Sequence, residues 1–203
     1  MSLVTEPYWW EAAPRVERDG PLPSEVDVAV VGAGFTGLSA ALTLARAGRS
    51  VAVLEAGRPG EGASSRNGGM IGSGHRVGFA QASRDYGPEM ARDLLKEGLR
   101  ALAFTGGLIE REAIACHFVR CGRFRGAWTA AHYEAMAGEL ETLRRETGLE
   151  AHLVPKAEVA REVATGHYHG GCVFPQHGGL HPGLFHSGLL AVAEAAGVQV
   201  LGR

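Results

Sequence analysis

Two spacings of apolar residues follow each other between Val26 and Glu55, VDVAVVGAGFTGLSAALTLARAGRSVAVLE. The nearly continuous apolar run over 26–31 predicts a short strand buried on both faces. Residues 38–47 carry apolar side chains at helical spacing, and Gly48 is suited to end that helix. A second apolar run over 51–54 predicts another strand. The pattern indicates a strand–helix–strand unit of an α/β protein with a parallel sheet.

The turn between the first strand and the helix reads Gly32-Ala33-Gly34-Phe35-Thr36-Gly37, a GxGxxG motif. Gly32 permits a tight turn, Gly34 lets a pyrophosphate approach the backbone, and Gly37 lets the helix pack closely. The free N–H groups and the positive dipole end of the helix attract an anion. The motif therefore predicts a dinucleotide site.

Glu55 lies 18 residues after Gly37, at the end of the second predicted strand. A carboxylate there can accept hydrogen bonds from a ribose diol, and it repels the 2′-phosphate of NADP. The alternative is a glycine-rich turn in an unrelated α/β protein. The strand, the helix and the terminal acid around the motif disfavour that alternative.

A second glycine-rich segment, AGRPGEGASSRNGGM, follows from Ala56 to Met70. Its serine, arginine and asparagine side chains are donors for phosphate and polyol oxygens. An NAD-binding unit needs no second anion loop after its acid, whereas the longer dinucleotide FAD does. The segment therefore favours FAD and disfavours the alternative of an NAD-dependent dehydrogenase.

The two segments together resemble those of the FAD-dependent amine and amino-acid oxidoreductases of the D-amino-acid-oxidase (DAO) fold family. The ASSRNGG form is similar to the γ-glutamylputrescine oxidoreductase-like branch, which usually has Gln where this chain has Met70, near the flavin ring. The resemblance implies FAD as cofactor, an amine or amino acid as small-molecule substrate, and hydride transfer from substrate to flavin. It implies cofactor contacts from Gly32, Ala33, Gly34, Phe35, Thr36, Gly37, Glu55, Ala56, Gly62, Ala63, Ser64, Arg66, Asn67, Gly68, Gly69 and Met70.

Two polar residues of the second segment have alternative roles. Arg66 can pair with a cofactor phosphate or with Glu61 on the surface, and the resemblance favours the cofactor. Asn67 is suited to hold the loop by bonding its own backbone, as Asn does in turns. No Ser/His/Asp set or carboxylate pair is visible, so the sequence identifies no catalytic residue. Flavin chemistry is consistent with that, because the cofactor performs the difficult step.

The remaining pattern predicts four regions. Residues 1–25 form a lead-in anchored by an aromatic cluster, and 26–78 form the FAD-binding βαβ unit with its glycine-rich loop. Residues 79–177 form an inserted α+β segment that begins a substrate domain, and 178–203 return as a helix and a third parallel strand. Within the insertion we predict helices at 79–86, 88–115, 130–147 and 156–162, strands at 152–154 and 168–175, and two strands over 117–129 joined at Cys121-Gly122.

Members of the family are about twice as long, according to the resemblance. The chain is therefore expected to be the N-terminal portion of a flavoenzyme, with an incomplete fold and a separate C-terminal half as one possible partner. The alternative is a non-catalytic FAD-binding half-domain.

The composition and charge of the chain limit the kinds of partner that we expect. The chain has 203 residues, 45% hydrophobic and 21% charged, with a formal net charge of −2, which gives no reason to expect nucleic acid. The uncharged stretch 28–45 is interrupted by the glycine turn, and the N-terminus has no basic region before an apolar core. We therefore predict no membrane span, no secretion signal and a cytoplasmic location.

Cysteines and histidines give no metal signature. Cys116, Cys121 and Cys172 have no CxxC spacing, and are predicted to be reduced, partly buried thiols. Five of the nine histidines lie between His167 and His186 without the spacing of a ligand set, so no metal is predicted.

Overall fold

The structure is a computed structural model that describes residue 3 and residues 5–202. Residues 1, 2 and 4 of the predicted lead-in, and the last residue of the predicted return segment, lie outside the described residues. The chain divides into two compact units. The first comprises the chain up to Gly69, Leu108–Phe118 and the chain from Leu180 onward; the second comprises Met70–Gly107 and Val119–Gly179.

The first unit contains a three-stranded parallel sheet in the order β1-β2-β8. Its elements are β1 (Val28–Val31), α1 (Phe35–Arg46), β2 (Val51–Glu55), α6 (Pro182–Ala195) and β8 (Gln199–Gly202). Val53 in the central strand is paired with Val30 on one side and Val200 on the other. The predicted βαβ unit and the third parallel strand beside β2 are therefore confirmed.

One hydrophobic cluster holds the first unit together. Leu38 of α1, Val53 of β2 and Leu189 of α6 are fully buried in it. Burying each such side chain contributes about 1.5–3 kcal/mol of hydrophobic free energy. Both helices therefore pack their apolar stripes into a single core.

The prediction that the first strand is buried on both faces is wrong. Val28 and Val30 are half-buried against the core, whereas Ala29 is exposed and Val31 is 88% exposed. In the described sheet β1 is an edge strand, and the face that carries Val31 is uncovered. A continuous apolar run cannot distinguish a strand covered on both faces from a strand covered on one.

The predicted aromatic anchor of the lead-in is present. Tyr8–Trp10 forms a short 3-10 turn, and Trp10 is only 6% exposed. Farther along, the Arg18 amide donates to the Gly202 carbonyl (2.7 Å) and the Gly202 amide donates to the Arg18 carbonyl (3.0 Å). These bonds attach the lead-in to β8.

The second unit contains two antiparallel sheets, β4-β6-β5 and the two-residue pair β3-β7. Its elements are β3 (Met70–Ile71), α2 (Phe79–Tyr86), β4 (Arg123–Gly126), α4 (Ala130–Thr147), β5 (His152–Pro155), a 3-10 turn (Lys156–Glu158), α5 (Val159–Glu162), β6 (Gly170–Phe174) and β7 (Gly178–Gly179). Helix α3 (Pro88–Arg111) begins in this unit.

The core of the second unit joins α4 to β6. Met136 and Leu140 lie one turn apart on α4 and are buried with Cys172 and Phe174. Residues 172 and 174 share one face of the strand because side chains alternate along it. Helix α4 therefore covers that face of the three-stranded sheet.

The predicted strand pair over 117–129 is wrong. Only β4 forms, and it pairs with β6, which lies some 50 residues later in the chain. Val119 instead makes a single bridge to Gly179, its amide donating to the Gly179 carbonyl at 2.9 Å. The turn residue was recognised correctly, since Gly122 has φ +75°. The partner of each strand is nonlocal, and local pattern does not specify it.

Four boundaries also differ from those predicted from the sequence. The predicted insertion 79–177 included Leu108–Phe118, which packs in the first unit. Helix α3 ends at Arg111 rather than near residue 115, and β6 begins at Gly170 rather than at 168. The segment after the glycines, predicted as loop from residue 71, contributes Ile71 to β3.

None of the helices in the described part of the chain has the length and hydrophobicity of a membrane span.

Candidate cofactor-binding site

The glycine turn adopts the geometry of an anion-binding helix start. Gly32 has φ +95°, and Gly34 caps α1 in an extended conformation. The Phe35 amide donates to Ser64 Oγ at 3.1 Å. Within the described residues, the structure records no hydrogen bond from the amides of Gly34, Thr36 and Gly37. The positive end of the helix dipole and these amides therefore suit a phosphate group.

Gly37 is required by close packing. A Cβ at this position would collide with the carbonyl oxygen of Gly32. A Cβ on Gly34 would lie 3.0 Å from Ser64 Oγ, which is tighter than ordinary contact. The two glycines therefore bring α1 and the second glycine-rich segment close to the turn.

Glu55 closes the turn from β2. Its Oε2 accepts the Ala33 amide at 2.7 Å, and its Oε1 accepts the amides of Ala56 (2.9 Å) and Gly57 (3.3 Å). An ionised carboxylate has about four acceptor positions, so about one position, on Oε2, is left for a ligand hydroxyl.

The second glycine-rich segment is held by its own polar side chains. The Asn67 amide group donates to the carbonyls of Ala63 and Ser64 (both 3.1 Å), and Asn67 Oδ1 accepts the Gly69 amide at 2.8 Å. This is the loop-holding role predicted for Asn67. Ser65 Oγ is buried and bridges the Gly60 carbonyl (2.6 Å) and the Trp10 indole N–H (2.7 Å).

Arg66 adopts the second of its two possible arrangements, the pairing with Glu61. Its Nε donates to the Glu61 carbonyl at 2.6 Å, and its Nη2 lies 3.8 Å from Glu61 Oε1. The guanidinium carbon lies 4.7 Å from the centre of the Trp10 ring, within the range of a cation–π contact.

One surface cleft of about 370 Å³ brings the two segments together in the first unit. Besides Val31, it is lined by eight predicted residues: Gly32, Gly34, Phe35, Thr36, Gly37, Ala63, Ser64 and Asn67. The other eight, Ala33, Glu55, Ala56, Gly62, Arg66, Gly68, Gly69 and Met70, do not line it. Of these, Ala33 and Glu55 support the turn from beneath through their hydrogen bond, and Met70 starts β3 in the second unit.

Two buried residues at this site were missed by the sequence analysis. His186 of α6 is fully buried, and its Nε2 lies 2.7 Å from the Ala33 carbonyl oxygen. Arg15 is 8% exposed, and its Nη1 lies 2.9 Å from His186 Nδ1. Burial lowers the pKa of both groups. In the sequence, His186 belongs to a group of histidines without metal-ligand spacing, and no local pattern pairs it with the turn.

No metal centre competes with this interpretation among the described residues, since no three His, Cys, Asp or Glu side chains there are placed to hold an ion. Cys116 and Cys172 are buried free thiols, and burial raises the pKa of each. Cys121 is exposed rather than partly buried as predicted.

Comparison with known proteins identifies the family. Residues 27–203 match the family described as FAD dependent oxidoreductase (DAO). The chain belongs to the DAO family of FAD-dependent oxidoreductases. The resemblance inferred from the two glycine-rich segments is thereby confirmed.

The relatives are longer than this chain. The DAO-family chain is 35% identical over its whole length to gamma-glutamylputrescine oxidoreductase of Escherichia coli K12, covering 46% of that protein. It is 32% identical to the probable oxidoreductase OrdL of Rhizobium meliloti 1021, over 98% of this chain and 48% of the relative. The chain therefore spans about half the length of these curated relatives.

A solved structure supports the fold. L-Amino acid deaminase from Proteus myxofaciens, solved in complex with anthranilate, matches 94% of this chain and 41% of its own, with a TM-score of 0.77 and 20% identity. The α/β fold predicted for this DAO-family chain is thus confirmed, over less than half of that enzyme.

The residues present fit the adenine dinucleotide that the family requires. Among the residues described, three amides at the start of α1 have no recorded acceptor, the glycines leave the backbone open to close approach, and Glu55 retains an acceptor position. Each feature is one that a pyrophosphate and a ribose use.

Proposed function

We propose that this chain forms the FAD-binding portion of an enzyme that oxidises the C–N bond of an amine or amino acid. The observation that supports it best is the cleft in which the glycine turn and the second glycine-rich segment meet, in a chain of a FAD-dependent family. The resemblance to gamma-glutamylputrescine oxidoreductase favours an amine as the substrate.

The chain's residues take distinct parts in holding the cofactor. The amides of Gly34, Thr36 and Gly37 would bind pyrophosphate oxygens, aided by the dipole of α1. Glu55 Oε2 would accept a ribose hydroxyl while its other acceptor positions hold the turn. Ser64 fixes the approach of the second segment through the Phe35 amide.

Bound FAD would supply the hydride acceptor for this oxidation, in which the substrate would lose a hydride from the carbon next to nitrogen and a proton from nitrogen, and water would hydrolyse the resulting imine to a carbonyl compound and an amine. No residue of this chain is assigned as a catalytic base. The chain's own contribution is to bind and orient the adenosine diphosphate part of the cofactor.

The test is the visible absorbance of the purified chain, before and after heat denaturation, with the released compound identified by its mass. We expect a flavin spectrum and released FAD. Gly34→Val adds an isopropyl group to the cleft and should reduce bound flavin at least about tenfold. Gly166→Val adds the same group where no atom lies within 4 Å of a Cβ, outside the cleft, and should retain it.

Other outcomes separate the alternatives. Released nicotinamide dinucleotide would contradict the FAD assignment. A folded but colourless chain that is still colourless after incubation with FAD and removal of the unbound FAD would contradict cofactor binding by this portion alone. Flavin that is bound but keeps its oxidised spectrum with every amine and amino acid tried, without oxygen, would favour the non-catalytic half-domain.

A further inference from the structure

The Ala33 residue in the glycine turn is held from both sides. It is fully buried, its amide donates to Glu55 Oε2 at 2.7 Å, and its carbonyl lies 2.7 Å from His186 Nε2. His186 reaches this carbonyl from α6, 153 positions later in the chain. One histidine thus fixes the middle of the predicted pyrophosphate turn.

Arg15 determines which nitrogen of His186 carries the proton. A guanidinium can only donate, and Arg15 Nη1 lies 2.9 Å from His186 Nδ1. Nδ1 must therefore accept, so the neutral ring carries its proton on Nε2 and donates to the Ala33 carbonyl. Arg15 is itself anchored by the Ala13 carbonyl (2.6 Å from Nη2) and by Ser187 Oγ (2.9 Å).

The direction of the Ala33 carbonyl sets the direction of the next amide. The peptide between Ala33 and Gly34 is planar and trans, so its N–H points opposite to its C=O. With the carbonyl turned toward His186, the Gly34 N–H points away from it, and Gly34 lines the cleft. A peptide that ends in glycine can rotate at little steric cost, so a hydrogen bond is needed to hold it.

We propose that His186, with its tautomer fixed by Arg15, is a positioning residue that keeps the Gly34 N–H directed into the cleft for a phosphate oxygen. The identity of that phosphate as part of FAD rests on the proposed function. The competing explanation is that His186 is only a buried core residue with satisfied hydrogen bonds.

Four variants separate the two explanations. His186→Leu keeps the volume but removes the donor, and His186→Gln keeps an N–H donor. Arg15→Met removes the group that fixes the tautomer. Leu190→Ala, from the same helix and 7% exposed, removes buried apolar atoms but no hydrogen-bonding group, and so controls for loss of stability alone.

The first measurement is the dissociation constant for FAD, obtained from flavin fluorescence. Circular dichroism first verifies that each variant is folded. We expect His186→Leu to weaken binding about tenfold or more, as loss of a hydrogen bond to a charged group does. His186→Gln should bind within about threefold of the unmodified chain, and Leu190→Ala should bind unchanged. Equal binding by His186→Leu, or equal weakening by Leu190→Ala, would overturn the proposal.

The second measurement needs no cofactor. Long-range 1H–15N spectra of the labelled chain should show the His186 proton on Nε2, and Arg15→Met should give a mixture of tautomers. The Gly34 amide resonance should move in His186→Leu and return in His186→Gln. A proton on Nδ1 of His186, or a Gly34 amide resonance that stays at the same position in both His186 variants, would overturn the proposal.

The two measurements test different claims, so one claim can be contradicted without the other. A chain that binds no FAD contradicts the proposed function, while the spectra still decide the positioning role. If His186→Leu does not fold, the comparison of His186→Gln with Arg15→Met decides it, because only the latter should show mixed tautomers and weaker FAD binding.

Discussion

At the scale of single residues, two helical glycines show why residue type alone does not determine the effect of a change. Gly37 in α1 has no space for a Cβ, because the Gly32 carbonyl occupies it. Gly138 in α4 has no atom within 4 Å of the same position. Alanine is the better helix former by about 1 kcal/mol, so packing alone decides the sign of each substitution.

We predict opposite effects of Gly37→Ala and Gly138→Ala on the free energy of unfolding in urea. Gly138→Ala should stabilise the chain by about 0.5–1 kcal/mol through helix propensity. Gly37→Ala should destabilise it by about 2 kcal/mol, since overpacking typically costs about 1–3 kcal/mol. Two changes of the same sign would show that the turn relaxes around the added methyl group.

At the scale of elements, the ends of α4 follow local chemistry. Thr129 caps the helix, its Oγ1 accepting the His132 amide at 3.1 Å. Gly148 ends it in the left-handed region at φ +73°. These signals lie within a few residues of the helix end that they determine, so the sequence was enough to predict the helix over 130–147.

Thr129→Ala should lower the free energy of unfolding by about 1 kcal/mol, because the His132 amide loses its side-chain acceptor. Thr129→Ser keeps the hydroxyl and should lower it by no more than about 0.3 kcal/mol. Urea titrations of the three chains measure both differences. Equal losses in the two variants would mean that packing of the threonine methyl, rather than the cap, matters here.

Elements that depend on distant partners were predicted less well. The apolar run over 26–31 predicts a strand but not its position at a sheet edge, where Val31 is exposed. The segment 117–129 was predicted to form two strands joined by a turn, yet only β4 forms there, and it pairs with β6. Strand pairing is chosen by the packing of the whole unit, which short-range periodicity does not contain.

At the scale of the whole molecule, the same distinction applies to the site. The two glycine-rich segments could be read from spacing because each is continuous in sequence. The Arg15–His186 pair could not, because its members lie 171 positions apart and neither belongs to a motif. Eight predicted residues meet in the cleft, and Glu55 of β2 was also predicted, but the histidine that holds the Ala33 carbonyl comes from α6 and its arginine partner comes from the lead-in.

Each of the two units contains a buried histidine whose pKa is lowered. His177, in the second unit, is 4% exposed, and its Nε2 accepts the Ser73 amide at 3.2 Å. Burial, with a further contribution from the positive charge of Arg123, lowers the pKa of His177. In the first unit, burial lowers the pKa of His186; Arg15 also lowers it, while the Ala33 carbonyl and Glu55 act in the opposite direction.

These shifts predict that stability falls as the pH is lowered below about 6.5, the pKa of an unfolded histidine. In that window the unfolded chain binds protons that the folded chain does not, so the free energy of unfolding decreases by up to about 1.4 kcal/mol per pH unit for each histidine. The loss of stability stops below the lowered pKa of the folded state, and above about pH 7.5 neither histidine makes stability depend on pH.

Urea titrations from about pH 8 to pH 5 avoid the lower range in which carboxylates titrate. His177→Gln and His186→Gln should each flatten the curve, and the double variant should flatten it most, since the two sites share no partner. A curve that stays equally steep in the double variant would mean that other groups carry the dependence, and that both rings accept a proton in the folded state.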